Sequence, residues 1–481
     1  MKITTDSAPK ALTKMRGQIN QLILAGEYTD ATRLLRQILE LPALELSDRN
    51  HYRFEIERLA RVRKDFSARR DEVIRFIQDI YPQLEEIDLE TWEQKDSLEY
   101  RIIDGQKYYF EQAARNLFRI DPTLRKLWDE KYPDQTITSG SGASLNLDEH
   151  LASIVKRSTD TSEQFVLPVK IRIKQSLEVE ANAVPPNETI RCWLPYPRHI
   201  PDQQDGIHFI KSQPAEHRLA ANESLQRTIY FEKFAGADQP TVFSVEYDLT
   251  TRGVYQHINP EMVVRSEPDS YIQKFLQEEP PHITFTPELK KLSETIVGDE
   301  QNPYQKARLI LTWMNENIPW ASAREYSTIK NISEYALINR HGDCGIQTLL
   351  FITMCRLNGI PARWQSGWEL QPPDDSMHDW GMIYFEPYGW VPMDVTYGIR
   401  KSDDPKVKWF YLSGLDSYRI IFNDAYGQAL VPAKEHFRSE TLDNQRGEVE
   451  WSGGNIYFDK WRWNFEWTIL GQTDIHKKSV D

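Results

Sequence analysis

The spacing of apolar residues changes along the chain, from a helical period before residue 131 to a period of two after residue 165. The first region is poor in Gly and Pro, and its apolar residues recur three and four positions apart, as in Leu34, Leu35 and Ile38. This spacing predicts amphipathic helices, so we expect residues 1–132 to form a helical module. Residues 25–31 resemble the turn of a tetratricopeptide-type hairpin, but no second copy follows, and a repeat array is not supported.

A linker and a strand-rich segment follow the helical part. Residues 133–146 are rich in Ser, Gly and Thr and poor in large apolar residues, so residues 133–160 are expected to form a linker and a short helix. Further on, Ile171 and Ile173 alternate with charged neighbours, and residues 241–248 repeat this pattern. Alternation with a period of two predicts strands with one buried face, and several short strands predict a β-sandwich-like domain over residues 161–265.

The charge of the chain excludes two classes of partner. The sequence has 58 Lys and Arg against 72 Asp and Glu, which gives a net charge of −14. Nucleic acids and anionic membranes both attract a basic surface, so we expect neither as a partner. The chain also contains no apolar run long enough to span a bilayer.

The cysteines and the N-terminal residues bear on the compartment. The chain has 3 cysteines, too few for a disulfide framework, and no CxxC pair. The first residues lack the apolar region of a signal peptide, so a cytoplasmic location is expected, with a removed export signal as the alternative. His341 and Asp343 lack further ligands at a recognisable spacing, and no phosphate or dinucleotide motif is present. We therefore expect neither a metal nor a cofactor.

Cys344 is the cysteine best placed for chemistry. It follows Gly342 and Asp343 and precedes an apolar segment that ends at Gly359, which predicts a helix beginning at the cysteine. The free N–H groups and the dipole at a helix N-terminus favour a thiolate, which is the nucleophilic form of cysteine. Cys192 and Cys355 lie in apolar segments instead, and each is interpreted as a small buried side chain.

A predicted hairpin provides partners for a thiolate. His378 begins a strand-like run that ends near residue 385, a turn follows, and Asp394 ends the next strand-like run. Antiparallel pairing brings the start of the first strand next to the end of the second, so His378 and Asp394 are expected to meet. A nucleophile, a base and a group that orients the base are the parts of a catalytic triad.

Four blocks in this order resemble the transglutaminase-like superfamily, the cysteine-nucleophile branch related to papain-like proteases. The blocks are a helix over residues 307–318, Gly342-Asp343-Cys344 with the residues up to Arg363, His378-Asp379-Trp380, and residues 389–396. The resemblance implies an α+β fold with a papain/transglutaminase-like catalytic core over residues 266–400. Residues 192–197 and 447–459 resemble bacterial members, and residues 401–481 are expected to form a strand-rich extension that packs on this core.

The resemblance also implies the role of each site residue. It assigns Cys344 as the nucleophile, His378 as the general base and Asp394 as the orienting carboxylate. Trp320 corresponds to an upstream tryptophan that binds the oxyanion in some relatives, although a packing role is equally open. Asp379 departs from the family's usual His-Ala-Trp pattern, and a carboxylate there could raise the pKa of the base or bind a substrate amine.

The implied function is hydrolysis of an amide bond in a peptide or protein substrate through a thioester acyl-enzyme. A protein-glutamine acyltransferase that uses an amine acceptor is the first alternative, because both reactions share the thioester. A catalytically silent binding or scaffold protein is the second, and the helical N-terminus would then contact a protein partner. The intact set of Cys344, His378 and Asp394 favours an enzyme.

Overall fold

The computed structural model describes residues 8–41, 44–133, 145–265, 269–470 and 476–479. Within these residues the chain divides into two compact units. One unit holds the described part of Met1–Ile137 together with Ala321–Ile329, and the other holds the described part of Thr138–Trp320 and Lys330–Asp481.

Helices make up most of the first unit. Its elements are α1 (Ala8–Leu24), α2 (Tyr28–Leu39), α3 (Leu46–Asp65), α4 (Arg70–Ile80), α5 (Glu86–Gln94), β1 (Tyr100–Ile103), β2 (Gln106–Tyr109), α6 (Ala113–Ile120) and α7 (Pro122–Lys131). The predicted helical periodicity is confirmed, since Leu35 and Ile38 are buried on one face of α2. The β1–β2 hairpin differs from the expectation of helices alone. Its turn, Asp104-Gly105, has positive φ at both residues, which is the backbone that Asp-Gly favours between paired strands.

The first unit also contains a segment that comes from far along the sequence. Asn116 donates its amide to the Ser322 carbonyl at 2.8 Å and accepts from the Ser322 N–H at 2.9 Å. Thr328 donates its hydroxyl to Asp65 at 2.9 Å. The expected division at residue 132 therefore needs a correction, because residues 321–329, which were expected in the catalytic core, belong to the helical unit.

The second unit begins with one helix and continues with strands. The elements up to residue 255 are α8 (Leu147–Thr161), β3 (Phe165–Val179), β4 (Thr189–Pro195), β5 (Gln204–Gln213), β6 (Arg218–Leu219), β7 (Thr228–Phe234) and β8 (Thr241–Tyr255). The predicted alternation is confirmed, since Ile171 and Ile173 are buried while Arg172 and Lys174 are exposed.

The rest of the second unit mixes helices and strands. Its elements are α9 (Ser270–Gln273), α10 (Pro287–Val297), α11 (Pro303–Asn317), α12 (Ile332–Asn339), α13 (Cys344–Leu357), β9 (Ala362–Glu369), β10 (Ser376–Phe385), β11 (Gly389–Met393), α14 (Pro405–Lys408), β12 (Gly414–Leu415), β13 (Arg419–Asn423), β14 (Glu448–Trp451), β15 (Gly454–Asn455), β16 (Trp461–Ile469) and β17 (His476–Ser479). No helix in the described ranges is both long and apolar enough to cross a membrane.

Two antiparallel sheets form the β-domain. One has the order β12-β8-β3-β16-β17 with β5 also paired to β8, and the other has the order β15-β14-β4-β7-β6. The strands β14 and β16 come from the C-terminal region, yet they pair with β4 and β3 inside these sheets. The expectation that residues 401–481 pack on the catalytic core therefore does not describe these two strands, whereas β13 of the same segment pairs with β9 in the third sheet. Strand pairing joins residues too far apart in sequence for periodicity to reveal.

A third antiparallel sheet, in the order β11-β10-β9-β13, carries the candidate site. The helix α13 packs against β9 and β10 and is buried on nearly every side, which explains its almost wholly apolar sequence. Side chains of this sheet, such as Trp368 and Phe422, share one apolar core with the β-domain. The helix α13 is therefore held between this sheet and the neighbouring helices α10, α11 and α12.

Candidate active site

The structure places Cys344 at the first position of α13, as predicted. The preceding residue, Asp343, caps the helix by accepting a hydrogen bond from the Ile346 N–H at 3.1 Å. Gly342 is required by close packing, because a Cβ there would lie 2.3 Å from a side-chain carbon of Ile346. The Cys344 side chain is half-buried, whereas Cys192 and Cys355 are fully buried, as their apolar surroundings predicted.

Gln347 connects three segments around the start of α13. Its Nε2 donates to the Ile318 carbonyl at 2.8 Å, and its Oε1 accepts from the Thr396 hydroxyl at 2.8 Å. Two residues after Ile318, Trp320 forms a parallel β-bridge with Gly342. Trp320 therefore lies on the segment beside the turn that precedes Cys344, and its role toward an oxyanion stays a prediction.

His378 and Asp394 meet as the hairpin pattern predicted. The two strands pair with Gly381 opposite Met393, which brings the start of β10 next to the end of β11. Nε2 of His378 lies 2.8 Å from Oδ2 of Asp394, and both side chains are buried. This contact leaves Nδ1 as the imidazole nitrogen that can serve a nucleophile or a leaving group.

Arg419 holds the Asp394 carboxylate from the other side. Its Nη1 lies 2.9 Å from Asp394 Oδ2, and its Nε lies 2.8 Å from Asp416 Oδ2. The other oxygen of Asp394 accepts from the backbone N–H groups of Thr396 and Tyr397. Burial acts to raise the pKa of Asp394, but His378, Arg419 and these hydrogen bonds together hold it below its ordinary value. Asp394 is thus an ionised carboxylate with a defined orientation.

Sequence reasoning did not identify Arg419, which begins β13 beyond the four blocks. The available signal was a charged residue at the start of the apolar run Ile420-Ile421-Phe422. A buried arginine in such a run requires carboxylate partners, but a single sequence does not say which.

Asp379 contacts the Cys344 sulfur directly. The Cys344 thiol donates to Asp379 Oδ2 at 3.4 Å, and among the described residues no hydrogen bond joins this thiol to His378. Burial, followed by the charges of Asp379 and Asp343, raises the pKa of the Cys344 thiol well above its ordinary value. Asp379 therefore contacts the sulfur, while its two expected roles, toward the base or a substrate amine, stay predictions.

Two aromatic candidates from the sequence lie in the core. Trp364 and Trp368, for which a cleft and a core position were both open, are 1% exposed and belong to the core. Within the described ranges no group of three or more His, Cys, Asp or Glu side chains is arranged to hold a metal ion.

Comparison with known proteins found one family model and several solved structures similar to this chain. Residues 290–395 match the family model of the transglutaminase-like superfamily. A candidate cysteine protease of Cytophaga hutchinsonii is similar in structure, with a TM-score of 0.40 and 19% identity over 66% of this chain and 96% of its own. The periplasmic domain of TgpA from Pseudomonas aeruginosa is similar with a TM-score of 0.23 and 14% identity, over 54% of this chain and 95% of its own.

No curated protein matches the chain. The family model spans α11, the turn before Cys344, the helix α13 and the hairpin that ends near Asp394. The part of this chain that holds Cys344, His378 and Asp394, residues 290–395, is therefore similar to the transglutaminase-like superfamily.

Proposed function

We propose that the protein hydrolyses amide bonds in peptides or proteins with Cys344 as the nucleophile. The observation that carries the proposal is the 2.8 Å contact between His378 Nε2 and Asp394 Oδ2, within a transglutaminase-like core whose cysteine begins a helix. An imidazole oriented by a buried carboxylate is the base that a cysteine nucleophile requires.

The reaction follows from the roles of these three side chains. His378 accepts the thiol proton as the Cys344 sulfur attacks the amide carbonyl, and the imidazolium then protonates the departing amine. The product is a thioester between the acyl group and Cys344. His378 next accepts a proton from water as the water oxygen attacks the thioester, and the sulfur leaves with that proton. Asp394 stays ionised throughout and stabilises the imidazolium in both steps.

The oxyanion of each tetrahedral intermediate needs hydrogen-bond donors. The Cys344 backbone N–H at the start of α13 is the first donor, because the N-terminal N–H groups of a helix have no partner within it. Trp320 is the proposed second donor, since the bridge to Gly342 holds its backbone beside the same turn.

The test measures amide hydrolysis and amine incorporation in one assay of the full chain. Casein is incubated with the protein with and without a labelled primary amine, and both the new amino groups and the bound label are quantified. We expect new amino groups from the unaltered chain and from Cys355→Ala, and none from Cys344→Ala. The Cys355→Ala control removes a thiol from the same helix at a fully buried position.

Three outcomes separate the functions. New amino groups without bound label support hydrolysis. Bound label that depends on Cys344 indicates the acyltransferase instead. If neither product forms, the assay is repeated with a mixed peptide library, and the absence of any Cys344-dependent product there supports the scaffold alternative.

A further inference from the structure

Asp379 and Asp443 form a buried pair of carboxyl groups beside the Cys344 sulfur. Their side chains are 4% and 3% exposed. One amide nitrogen joins them, because Gln445 Nε2 donates to Asp379 Oδ1 at 2.6 Å and to Asp443 Oδ2 at 2.9 Å. Two carboxyl groups held this close in a buried site resist double ionisation, because two negative charges repel strongly where water is excluded.

Charged and polar groups face this pair from several elements. Asp343 faces it from the start of α13, and Ser366 on β9 donates its hydroxyl to Asp443. The loop between β13 and β14 contributes the remaining charged groups, which are Glu440, Arg438 and Arg446. On β10 the backbone carbonyl of His378 accepts from Gln445, while the imidazole of His378 contacts Asp394.

These surroundings favour a proton on Asp379 over one on Asp443. Burial, then the charges of Asp443, Asp343 and Glu440, raise the pKa of Asp379 well above its ordinary value. Burial also raises the pKa of Asp443, but Ser366 and the two arginines oppose that rise. The carboxyl group nearest the sulfur is therefore the one that retains its proton.

We propose that Asp379 and Asp443 share one proton and through it control the nucleophile: the Cys344 thiolate forms while Asp379 is neutral, and ionised Asp379 keeps the sulfur as a thiol. The inference rests on the proposed role of Cys344. Ionised Asp379 accepts the S–H hydrogen bond at 3.4 Å and places a negative charge beside the sulfur, and both effects stabilise the thiol. Protonation of Asp379 removes both effects, and the thiol proton then passes to His378, the proposed base.

The test measures how fast iodoacetamide alkylates Cys344 in the full chain as a function of pH, with peptide mapping to isolate this residue. In the unaltered chain the rate should rise in two steps separated by a plateau, because the thiolate exists beside neutral Asp379 and, at higher pH, beside ionised Asp379. In Asp379→Asn the two steps should merge into one, and alkylation at the pH of the upper step, where Asp379 of the unaltered chain is ionised, should be faster by about tenfold, as expected for a shift of one pKa unit.

A second variant is expected to act in the opposite direction. Asp443→Asn removes the charge that keeps Asp379 protonated, so Asp379 ionises at lower pH and alkylation of Cys344 at pH 7 becomes slower. Asp403→Asn makes the same change of charge at an exposed loop position, and its profile should match that of the unaltered chain.

The possible results of these measurements either support or overturn the proposal. Opposite shifts in the two variants support the proposal, and a single-step profile in the unaltered chain overturns it. Equal slowing in both variants also overturns it, because that result indicates a structural role. If a variant does not keep the thermal midpoint of the unaltered chain, the proposal is judged on the pH profile of the unaltered chain alone. Two steps in that profile support the proposal, and one step overturns it. Alkylation needs no substrate, so its outcome is separate from the test of amide hydrolysis.

Discussion

Arg419 shows how a single residue supports the candidate site from outside the family motif. It is 3% exposed and forms ion pairs with Asp394, Asp416 and Glu369. The carboxylate that orients His378 therefore depends on a cation that begins another strand. A buried ion pair adds modest net stability, but removal of one partner leaves uncompensated charge.

We predict that Arg419→Gln lowers the free energy of unfolding by roughly 3–5 kcal/mol, because Asp394 and Asp416 lose their cation in a buried site. Urea denaturation measures this loss. The control is Arg172→Gln, which breaks an ion pair with Asp248 on a half-exposed side chain and should cost about 1 kcal/mol or less. Equal losses in the two variants would contradict the assigned role of Arg419.

At the scale of elements, the end of α3 contains a titratable contact. Asp65 accepts a hydrogen bond from Thr328 at 2.9 Å. Burial raises the pKa of Asp65 to about 7 from 3.8, with a further contribution from the charge of Glu325, although Thr328 and Arg324 act against the rise. The folded unit therefore binds this proton more tightly than the unfolded chain does.

The sign of the pH effect follows from that difference. Stability from protonated Asp65 is fully present below pH 4 and is lost as the pH rises toward about 7. Hydrogen exchange of residues 321–329, corrected for the intrinsic rate, should show more protection at pH 5 than at pH 8. Asp65→Asn should abolish this difference, and Asp71→Asn, at an exposed position of α4, should preserve it. If the difference persists in Asp65→Asn, the pH dependence of protection does not come from Asp65.

The pairing of β9 with β13 depends on a glycine. A Cβ at Gly367 would lie 1.8 Å from the backbone oxygen of Ile420, a contact that only movement of a strand can relieve. We predict that Gly367→Ala lowers the free energy of unfolding by about 3 kcal/mol. Gly17→Ala is the control, because among the described residues no atom beyond its chain neighbours and its own helix backbone lies within 4 Å of the new Cβ, and alanine favours the helix α1. Calorimetry of both variants tests the expectation, which fails if their midpoints agree.

At the scale of the whole molecule, the C-terminal strands complete both sheets of the β-domain. The strand β16 pairs with β3 along Trp461–Ile469, and β14 pairs with β4. Their buried side chains, including Phe465 and Val449, belong to the same core as Phe243. The β-domain is therefore assembled from two distant parts of the chain, with the sheet that carries the candidate site between them in sequence.

We predict that deletion of residues 447–481 abolishes the cooperative thermal transition of the second unit, because β3 and β4 lose a paired neighbour and their apolar faces are uncovered. Deletion of residues 476–481 alone removes only the edge strand β17 and should retain the transition. Thermal melting of both truncated chains, followed by circular dichroism, tests this prediction. A cooperative melt of the larger deletion would contradict the interpretation.

Local patterns in the sequence were sufficient for several parts of the site. The start of α13 at Cys344 follows from the Gly-Asp turn and the apolar run after it, and the meeting of His378 with Asp394 follows from one hairpin. In both cases the determining interactions join residues close in sequence, so periodicity and turn chemistry express them directly.

Only the tertiary structure decided the rest. Contacts between distant segments place Arg419 beside Asp394 and bring Asp379 and Asp443 together beside Cys344. Such contacts also place the C-terminal strands in the β-domain and residues 321–329 in the helical unit. Side chains such as Asp443 and Arg419 resemble ordinary surface charges in the sequence, and burial against specific partners gives them their pKa shifts and their roles. The sequence by itself determined which residues are the candidates for the chemistry, and packing determined the charges that surround them.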